Sequence, residues 1–235
     1  MKKSLLLLAL TAAVGFQSTA FAVGERIGRP APEAINAPAG AGIVADPSFE
    51  DGSPNSFWAE ASTNFGTPLC TVAACGSGNS AQPVRTGTWW AWFGGTTATE
   101  TGSVSQSISI PANSNATLDF GFQAPVCVTA SGANSFVEAR INGTAVWRAD
   151  ATNALCNVTT GYALQSVNIS QYAGQTVTLS FNSTTTGGTT NFFIDDVQVT
   201  AAAAPVSAPT MSAVGLGALA LLLGLVGVLA VRRFS

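Results

Sequence analysis

Acidic side chains are the residues of this 235-residue sequence that could perform acid–base chemistry, because the sequence contains no histidine. A Ser-His-Asp triad, a Cys-His pair and a histidine-ligated zinc or haem are thereby excluded. Two carboxylates could still hydrolyse a glycosidic bond, and the available acids are Glu60, Glu100, Asp119, Glu138 and Asp150. No pair of them is flanked by an aromatic cleft that the sequence identifies, so we predict that the protein is not an enzyme.

Tryptophans are the residues best suited to bind a sugar, because a sugar ring can lie flat on an exposed aromatic ring. If residues 89–93 form a strand, Trp90 and Trp92 face one way and Trp89 faces the other. We expect most of these side chains in the core, since large aromatic residues dominate the cores of β-sandwiches. The candidate ligand-binding residues are therefore Trp58 and Trp147, followed by Trp90 and Trp92.

Four cysteines predict two disulfides if the chain is exported. They are Cys70, Cys75, Cys127 and Cys156, and three pairings are possible. We favour Cys70–Cys75 together with Cys127–Cys156, because each pair can then approach without entangling the chain. We expect no zinc site, since the spacing is not that of zinc ligands and no histidine assists.

Short runs of alternating apolar and polar residues predict the strands that must position these side chains. Examples are Val104–Ile110, Leu118–Phe122 and Val177–Phe181, and the Asn142-Gly143 pair is a strong hairpin signal. We find no good amphipathic helix in the same region. Residues 43–200 are therefore predicted to form one all-β domain, a single jelly-roll β-sandwich.

Apolar segments at both ends of the chain predict export. Residues 1–22 combine a basic start, a short apolar run and a small-residue site, which predicts a signal peptide cleaved by signal peptidase after Ala22; an uncleaved anchor is the alternative. Residues 213–231 are uncharged and precede a basic cytoplasmic tail, residues 232–235, which predicts a transmembrane helix rather than a buried core helix. Residues 23–42 and 201–212 are predicted linkers.

Removal of both ends would leave an acidic domain without lysine. Five arginines then oppose twelve acidic residues, which gives a net charge of −7 instead of the −3 of the full chain. We therefore expect no nucleic-acid partner, and the net charge gives no reason to expect an anionic one.

Four motifs follow one another along the predicted domain. They are an opening segment Asp46–Gly52, the aromatic run Gly87–Gly95, the segment Tyr172–Leu179 and a closing segment Phe192–Val197. Their order resembles the galactose-binding-like jelly-roll modules of secreted bacterial proteins, which are close in layout to several carbohydrate-binding modules. The resemblance implies a β-sandwich but no particular ligand.

The same resemblance implies a structural calcium ion. In related modules an acid of the opening segment and an acid of the closing strand help to hold calcium, and the matching residues here are Glu50 and Asp195 or Asp196. If the side chain of Asp195 is buried, the alternative to a cation is a set of hydrogen bonds from nearby backbone amides.

A short polar motif precedes the C-terminal apolar segment. Pro209, Thr210, Met211 and Ser212 stand before it, and Arg232 and Arg233 follow it. This arrangement resembles the IPTL-CTERM sorting tail of bacterial envelope proteins, from which it departs at positions 208, 211, 213 and 214. The resemblance implies that an exosortase-type membrane protease removes the tail; a related tail class and an anchor that is never cut are the alternatives.

Together these features predict a non-catalytic binding or adhesion module on the cell surface or in the extracellular matrix. We expect its partner to be a glycan or an envelope polysaccharide. A structural matrix protein that binds no small ligand is the main alternative, and a hydrolase that uses paired carboxylates is the third.

Overall fold

The computed structural model of the protein describes residues 42–204, which contain the predicted domain. These residues form ten β-strands, and helical segments are short. The strands are β1 (Ala59–Ser62), β2 (Leu69–Thr71), β3 (Trp89–Gly94), β4 (Glu100–Ser109), β5 (Ser114–Val126), β6 (Phe136–Ile141), β7 (Thr144–Asp150), β8 (Ala163–Asn168), β9 (Thr176–Thr185) and β10 (Asn191–Ala203). The helix α1 covers Val72–Cys75, and two 3-10 helices cover Thr129–Asn134 and Ser170–Tyr172.

The strands form two antiparallel five-stranded sheets that pack face to face. The first sheet has the order β1-β4-β9-β6-β7, and the second has the order β2-β3-β10-β5-β8. Strands β3 to β10 are distributed over the two sheets in the strand order of a jelly roll. The prediction of an all-β sandwich is therefore confirmed.

Every second side chain along several strands points into the space between the two sheets and fills it. The alternating runs of the sequence supply buried residues from both sheets, namely Val104, Ile108, Leu118, Phe120, Phe122, Val137, Ala139, Ile141, Val177, Leu179 and Phe181. The period of two therefore identifies the core side chains correctly in these four strands, β4, β5, β6 and β9.

Strand β3 is buried on both faces. Trp89 and Phe93 belong to the core between the sheets, whereas Trp90 and Trp92 point to the outer side of the second sheet. There they pack with Phe193 and with the disulfide-bonded Cys70 and Cys75 in a second cluster, which we call the outer aromatic cluster. Residues 72–88, the covering segment, contribute Ala74 and Val84 to the packing over this cluster.

A β-bulge in β10 changes which side chains face the core. The register with β5 shifts between Asp195 and Gln198, and Asp196 adopts a positive φ of 51°. In a regular strand, alternation of side chains would place Asp195 on the same face as Val197. The bulge adds one residue between them, so the two side chains point to opposite faces. Val197 packs in the core between the sheets, whereas Asp195 is buried near the covering segment.

Both disulfides have the favoured pairing. Cys70–Cys75 brackets α1 with a Cα–Cα distance of 5.8 Å, and Cys127–Cys156 joins two loops with a Cα–Cα distance of 5.5 Å. The first bond fixes the start of the covering segment, and the second lies next to the bridge between Ala124 and Cys156.

The predicted export signals lie outside the described residues. This applies to the signal peptide, to the sorting motif and to the apolar segment 213–231. Between residues 42 and 204 no helix has the length and apolar character that crossing a bilayer requires.

Candidate ligand-binding groove

A groove of about 400 Å³ lies on the outer face of the first sheet. It is lined by residues 61–63 at the β1 edge, by 101–103 of β4, by 182–184 of β9, and by Phe136 and Arg140 of β6. Its volume falls within the range of roughly 300–1,000 Å³ that is typical of small-molecule sites. Hydroxyl and amide groups, one aromatic ring and one guanidinium therefore meet in a single concave surface.

Strand register explains why these side chains lie together. Ser103 is paired with Asn182, and Thr101 is paired with Thr184, which is paired in turn with Phe136. Alternate residues of a strand point to the same face, so the small outward side chains of β4 and β9 form the floor. The larger side chains of β6 rise beside this floor.

Glu100 holds the wall of the groove at the β1 edge. Its buried carboxylate accepts hydrogen bonds from Ser62 Oγ, from Thr63 Oγ1 at 2.9 Å and from the Asn64 backbone N–H at 2.9 Å. Thr63 also donates its backbone N–H to Thr101 O at 3.0 Å. A carboxylate that the sequence offers as a catalytic candidate is thus a structural anchor for the loop that lines the groove.

Arg140, Glu138 and Arg148 form an ion-paired chain beside the groove. Arg140 Nε donates to Glu138 Oε2 at 2.7 Å, and Arg148 Nη1 donates to Glu138 Oε1 at 2.6 Å. Arg148 Nη2 donates to Ala133 O, and its guanidinium lies 4.0 Å from the centre of the Phe136 ring. Glu138 faces outward from the sheet, but it is buried between the two arginines.

Two carboxylates of the strands beside the groove, Glu138 and Asp150, have lowered pKa values. Burial raises the pKa of Glu138, but hydrogen bonds from Arg148 and Arg140 outweigh burial and leave the pKa below its usual value. Hydrogen bonds from Thr152 lower the pKa of Asp150. The general acid of a glycosidase needs a raised pKa, which neither Glu138 nor Asp150 has.

Three of the four candidate tryptophans offer no ring face to a ligand. Trp58 is 1% exposed, and its Nε1 donates to Asp46 O at 2.9 Å while its ring packs on Phe49. Trp90 and Trp92 are fully buried in the outer aromatic cluster. A buried ring cannot stack on a sugar, so the structure contradicts the assignment of these three residues to a ligand site.

Trp147 is partly buried and also has a structural role. Its ring makes edge contacts with Phe120 and Phe122 at centroid distances of 4.9 and 5.0 Å, and its Nε1 donates to Gln165 Oε1 at 3.1 Å. It is absent from the lining of the groove. The aromatic side chain of the groove is Phe136, whose outward parity with Arg140 was the signal in the sequence that could have identified it.

The acids proposed for calcium are occupied by hydrogen-bond donors. Glu50 Oε1 accepts from the backbone N–H groups of Thr88 at 2.7 Å and Trp89 at 2.8 Å. Asp195 accepts from the backbone N–H groups of Arg85 at 2.8 Å, Thr86 at 3.3 Å and Asp196 at 2.7 Å. These are the amide partners that we considered as the alternative to a cation.

The carboxylate of Asp196 also has hydrogen-bond and ion-pair partners within the protein. It accepts a hydrogen bond from Ser48 Oγ at 2.6 Å and another from Thr86 Oγ1, and it pairs with Arg85. Among residues 42–204, no three side chains of the His, Cys, Asp or Glu type are grouped so that they could hold a metal ion. Glu50, Asp195 and Asp196 therefore do not fit the calcium site that the resemblance implies.

Calcium should leave the stability of the domain unchanged. We expect the same melting temperature in excess EDTA and in millimolar calcium, because Glu50, Asp195 and Asp196 each accept hydrogen bonds from donors within the protein. Thermal unfolding followed by circular dichroism would measure this, with magnesium as the control ion. A calcium-specific rise in the melting temperature would contradict it.

No protein-family model matches the chain, and neither does any curated protein. Similar solved structures include TmCBM61 in complex with β-1,4-galactotriose, at 17% identity over 68% of this chain and 99% of that chain, with a TM-score of 0.45. A family 35 carbohydrate-binding module from an environmental isolate is 20% identical to this chain. The match covers 55% of this chain and 86% of the module, with a TM-score of 0.36. The apo form of a cyclase from Fischerella sp. is 14% identical to this chain. The match covers 52% of this chain and 66% of the cyclase, with a TM-score of 0.33.

Proposed function

We propose that this protein is an exported, non-catalytic glycan-binding module and that the groove on the first sheet binds the glycan. The observation that carries the proposal is the lining of the groove, in which hydroxyl and amide side chains surround one phenylalanine and one arginine. Sugar rings offer hydroxyl groups at their edges and C–H groups on their faces. The polar floor can bond the hydroxyl groups, and Phe136 can contact the C–H groups.

The groove is preorganised because rigid elements hold it. Asn182 and Ser103 are fixed by strand pairing, and Glu100 fixes the loop at the β1 edge. Binding sites built on strands lose little conformational entropy when a ligand arrives. Rigid polar groups on a sheet therefore support recognition of a sugar surface.

The position of the groove supports display on the cell surface. Strand β10 ends where Ala203 pairs with Ser114, at the same end of the sandwich as Thr176 of β9. Thr184, in the groove, lies eight residues further along β9, which is about 26 Å at 3.3 Å per residue. If residues 213–231 anchor the chain in a membrane, the groove lies at the end of the domain opposite to the attachment.

The export signals complete this proposal. Signal peptidase would remove residues 1–22, and an exosortase-type protease would recognise the tail that contains Pro209–Ser212. The released or anchored domain would then act outside the cell, in the envelope or the extracellular matrix.

A tryptophan placed in the groove should weaken glycan binding. We expect Ser103→Trp to weaken binding to any glycan that the wild-type residues 23–205 retain by at least about tenfold, which corresponds to 1.4 kcal/mol. Ser107→Trp is the matched control, because Ser107 lies on the same face of β4 and outside the groove. Glycan arrays followed by polysaccharide pull-down would measure both.

Two outcomes would contradict the proposal. Equal binding by both variants would exclude this groove as the site. A folded wild-type domain that binds no glycan in either assay would favour the structural alternative, and self-association of the soluble domain would then be the property to measure.

A further inference from the structure

Charged side chains alternate in sign along the row that leads into the groove. Asp150 interacts electrostatically with Arg148, Arg148 is paired with Glu138, and Glu138 is paired with Arg140. Arg140 is the end of this row, and its partly exposed side chain lines the groove. Among the groove residues it is the one that carries a charge.

The guanidinium of Arg140 has N–H donors that do not contact Glu138. Its Nε and Nη2 atoms contact Glu138 Oε2, at 2.7 and 2.5 Å. A guanidinium carries five N–H donors in a planar fork, so several donors remain for a ligand. Glu138 also holds this fork in place, which makes it a positioning residue for Arg140.

We propose that the groove selects glycans that contain a uronic acid, whose carboxylate would pair with Arg140 and continue the alternation of charges. This inference rests on the proposed glycan-binding function and specifies its ligand class. Arginine matches a carboxylate with two parallel N–H···O bonds, which gives geometric selectivity as well as attraction.

The negative net charge of the domain does not prevent an acidic glycan from binding at Arg140. The net charge of −7 after processing acts over a distance, and salt screens charges that are more than about 8 Å apart at physiological ionic strength. Contact with the guanidinium is shorter than that distance and is screened less. Arg140 and Arg148 both lie on the face with the groove, where Glu138 pairs with each of them, so Arg140 offers a ligand a local contact rather than a net positive surface.

The test compares acidic polymers with the neutral products of reducing their carboxyl groups. Polygalacturonate and alginate, each beside its carboxyl-reduced form, would be titrated against residues 23–205 by calorimetry. We expect at least one acidic polymer to bind about tenfold more tightly than its reduced form, as loss of one charge-assisted hydrogen bond predicts. In Arg140→Gln the two forms should bind equally.

Matched variants separate a local contact from a general effect of charge. Arg85→Gln removes the same charge from the covering segment, which packs over the second sheet, and should preserve the tenfold preference. Arg140→Lys should lose most of the preference because lysine lacks the planar fork. Equal binding of acidic and reduced polymers by the wild type would overturn the ligand class and leave the proposed function standing. If no glycan binds at all, the proposed function and this inference both fail.

Discussion

The free energy of unfolding should fall as the pH rises from about 4 to about 8. Burial raises the pKa of Asp195 to about 8, and the charge of Asp196 acts in the same direction, while the amide N–H groups of Arg85, Asp196 and Thr86 lower it. An unfolded aspartate releases its proton near pH 3.9. Between these values the folded state binds one more proton than the unfolded state, so stability decreases with increasing pH.

The size of the effect follows from the difference between the two pKa values of Asp195. One unit of pKa corresponds to about 1.36 kcal/mol, so the loss of stability across the interval should be on the order of 5 kcal/mol. The contribution is fully present below pH 4 and is lost as the pH passes through about 8. The chain has no histidine, so no imidazole titrates in this interval.

The tyrosine near Asp195 keeps its charge state in this interval. Burial raises the pKa of Tyr162 well above its usual value, and the charges of Asp195 and Asp196 act in the same direction. Tyr162 therefore remains neutral up to pH 8. The change in stability can be attributed to Asp195.

Urea denaturation at pH 5, 6.5 and 8 would measure the effect. Asp195→Asn removes the titrating group, and we expect its stability to be nearly constant over this range. Asp119→Asn, on the neighbouring strand β5, is the matched control and should keep the slope of the wild type. If the wild type is equally stable at pH 5 and pH 8, the three amide donors hold Asp195 ionised and the prediction is wrong.

The sequence predicted the sandwich because several of its strands carry a period of two. In β4 and β9, every second residue from Val104 to Ile108 and from Val177 to Phe181 is buried. Such a period cannot reveal an inserted residue, which is why the bulge at Asp196 was missed. Asp195 is buried, but the covering segment and not the sandwich core provides its partners.

The groove was harder to predict because its residues come from separate parts of the chain. Ser103, Phe136 and Asn182 are brought together by a strand order in which β9 lies between β4 and β6. Each of these side chains alone resembles an ordinary residue of a solvated sheet face. The sequence predicted a ligand site at tryptophans instead, although large aromatic side chains are commonly buried in the cores of β-sandwiches.

Replacement of Trp92 by alanine should produce a large loss of stability without a specific loss of binding. The buried indole packs against Phe193 at a centroid distance of 5.2 Å and against Trp90 at 6.4 Å. Its Nε1 donates to Asn191 Oδ1 at 3.0 Å, and Asn191 in turn donates to Gly78 O in the covering segment. Removal of the ring therefore leaves a cavity and frees the segment above it.

We expect Trp92→Ala to lower the free energy of unfolding by about 3–5 kcal/mol, the range for large aromatic residues in cores. For a domain of this size the melting temperature should fall by about 10 °C, since 1 kcal/mol corresponds to roughly 2–4 °C. Val72→Ala is the control, because Val72 begins the same covering segment but is 49% exposed. Its effect should remain within about 0.5 kcal/mol.

Trp92→Phe separates packing from ligand contact, because it keeps an aromatic ring and loses the Nε1 donor. This variant should stay folded, and its affinity for a glycan should equal that of the wild type, since Trp92 lies on the second sheet and the groove lies on the first. A folded Trp92→Phe variant with weaker glycan binding would mean that the covering segment opens to expose the outer aromatic cluster. The ligand site would then have to be placed on the second sheet, and Ser103→Trp would have no effect on binding.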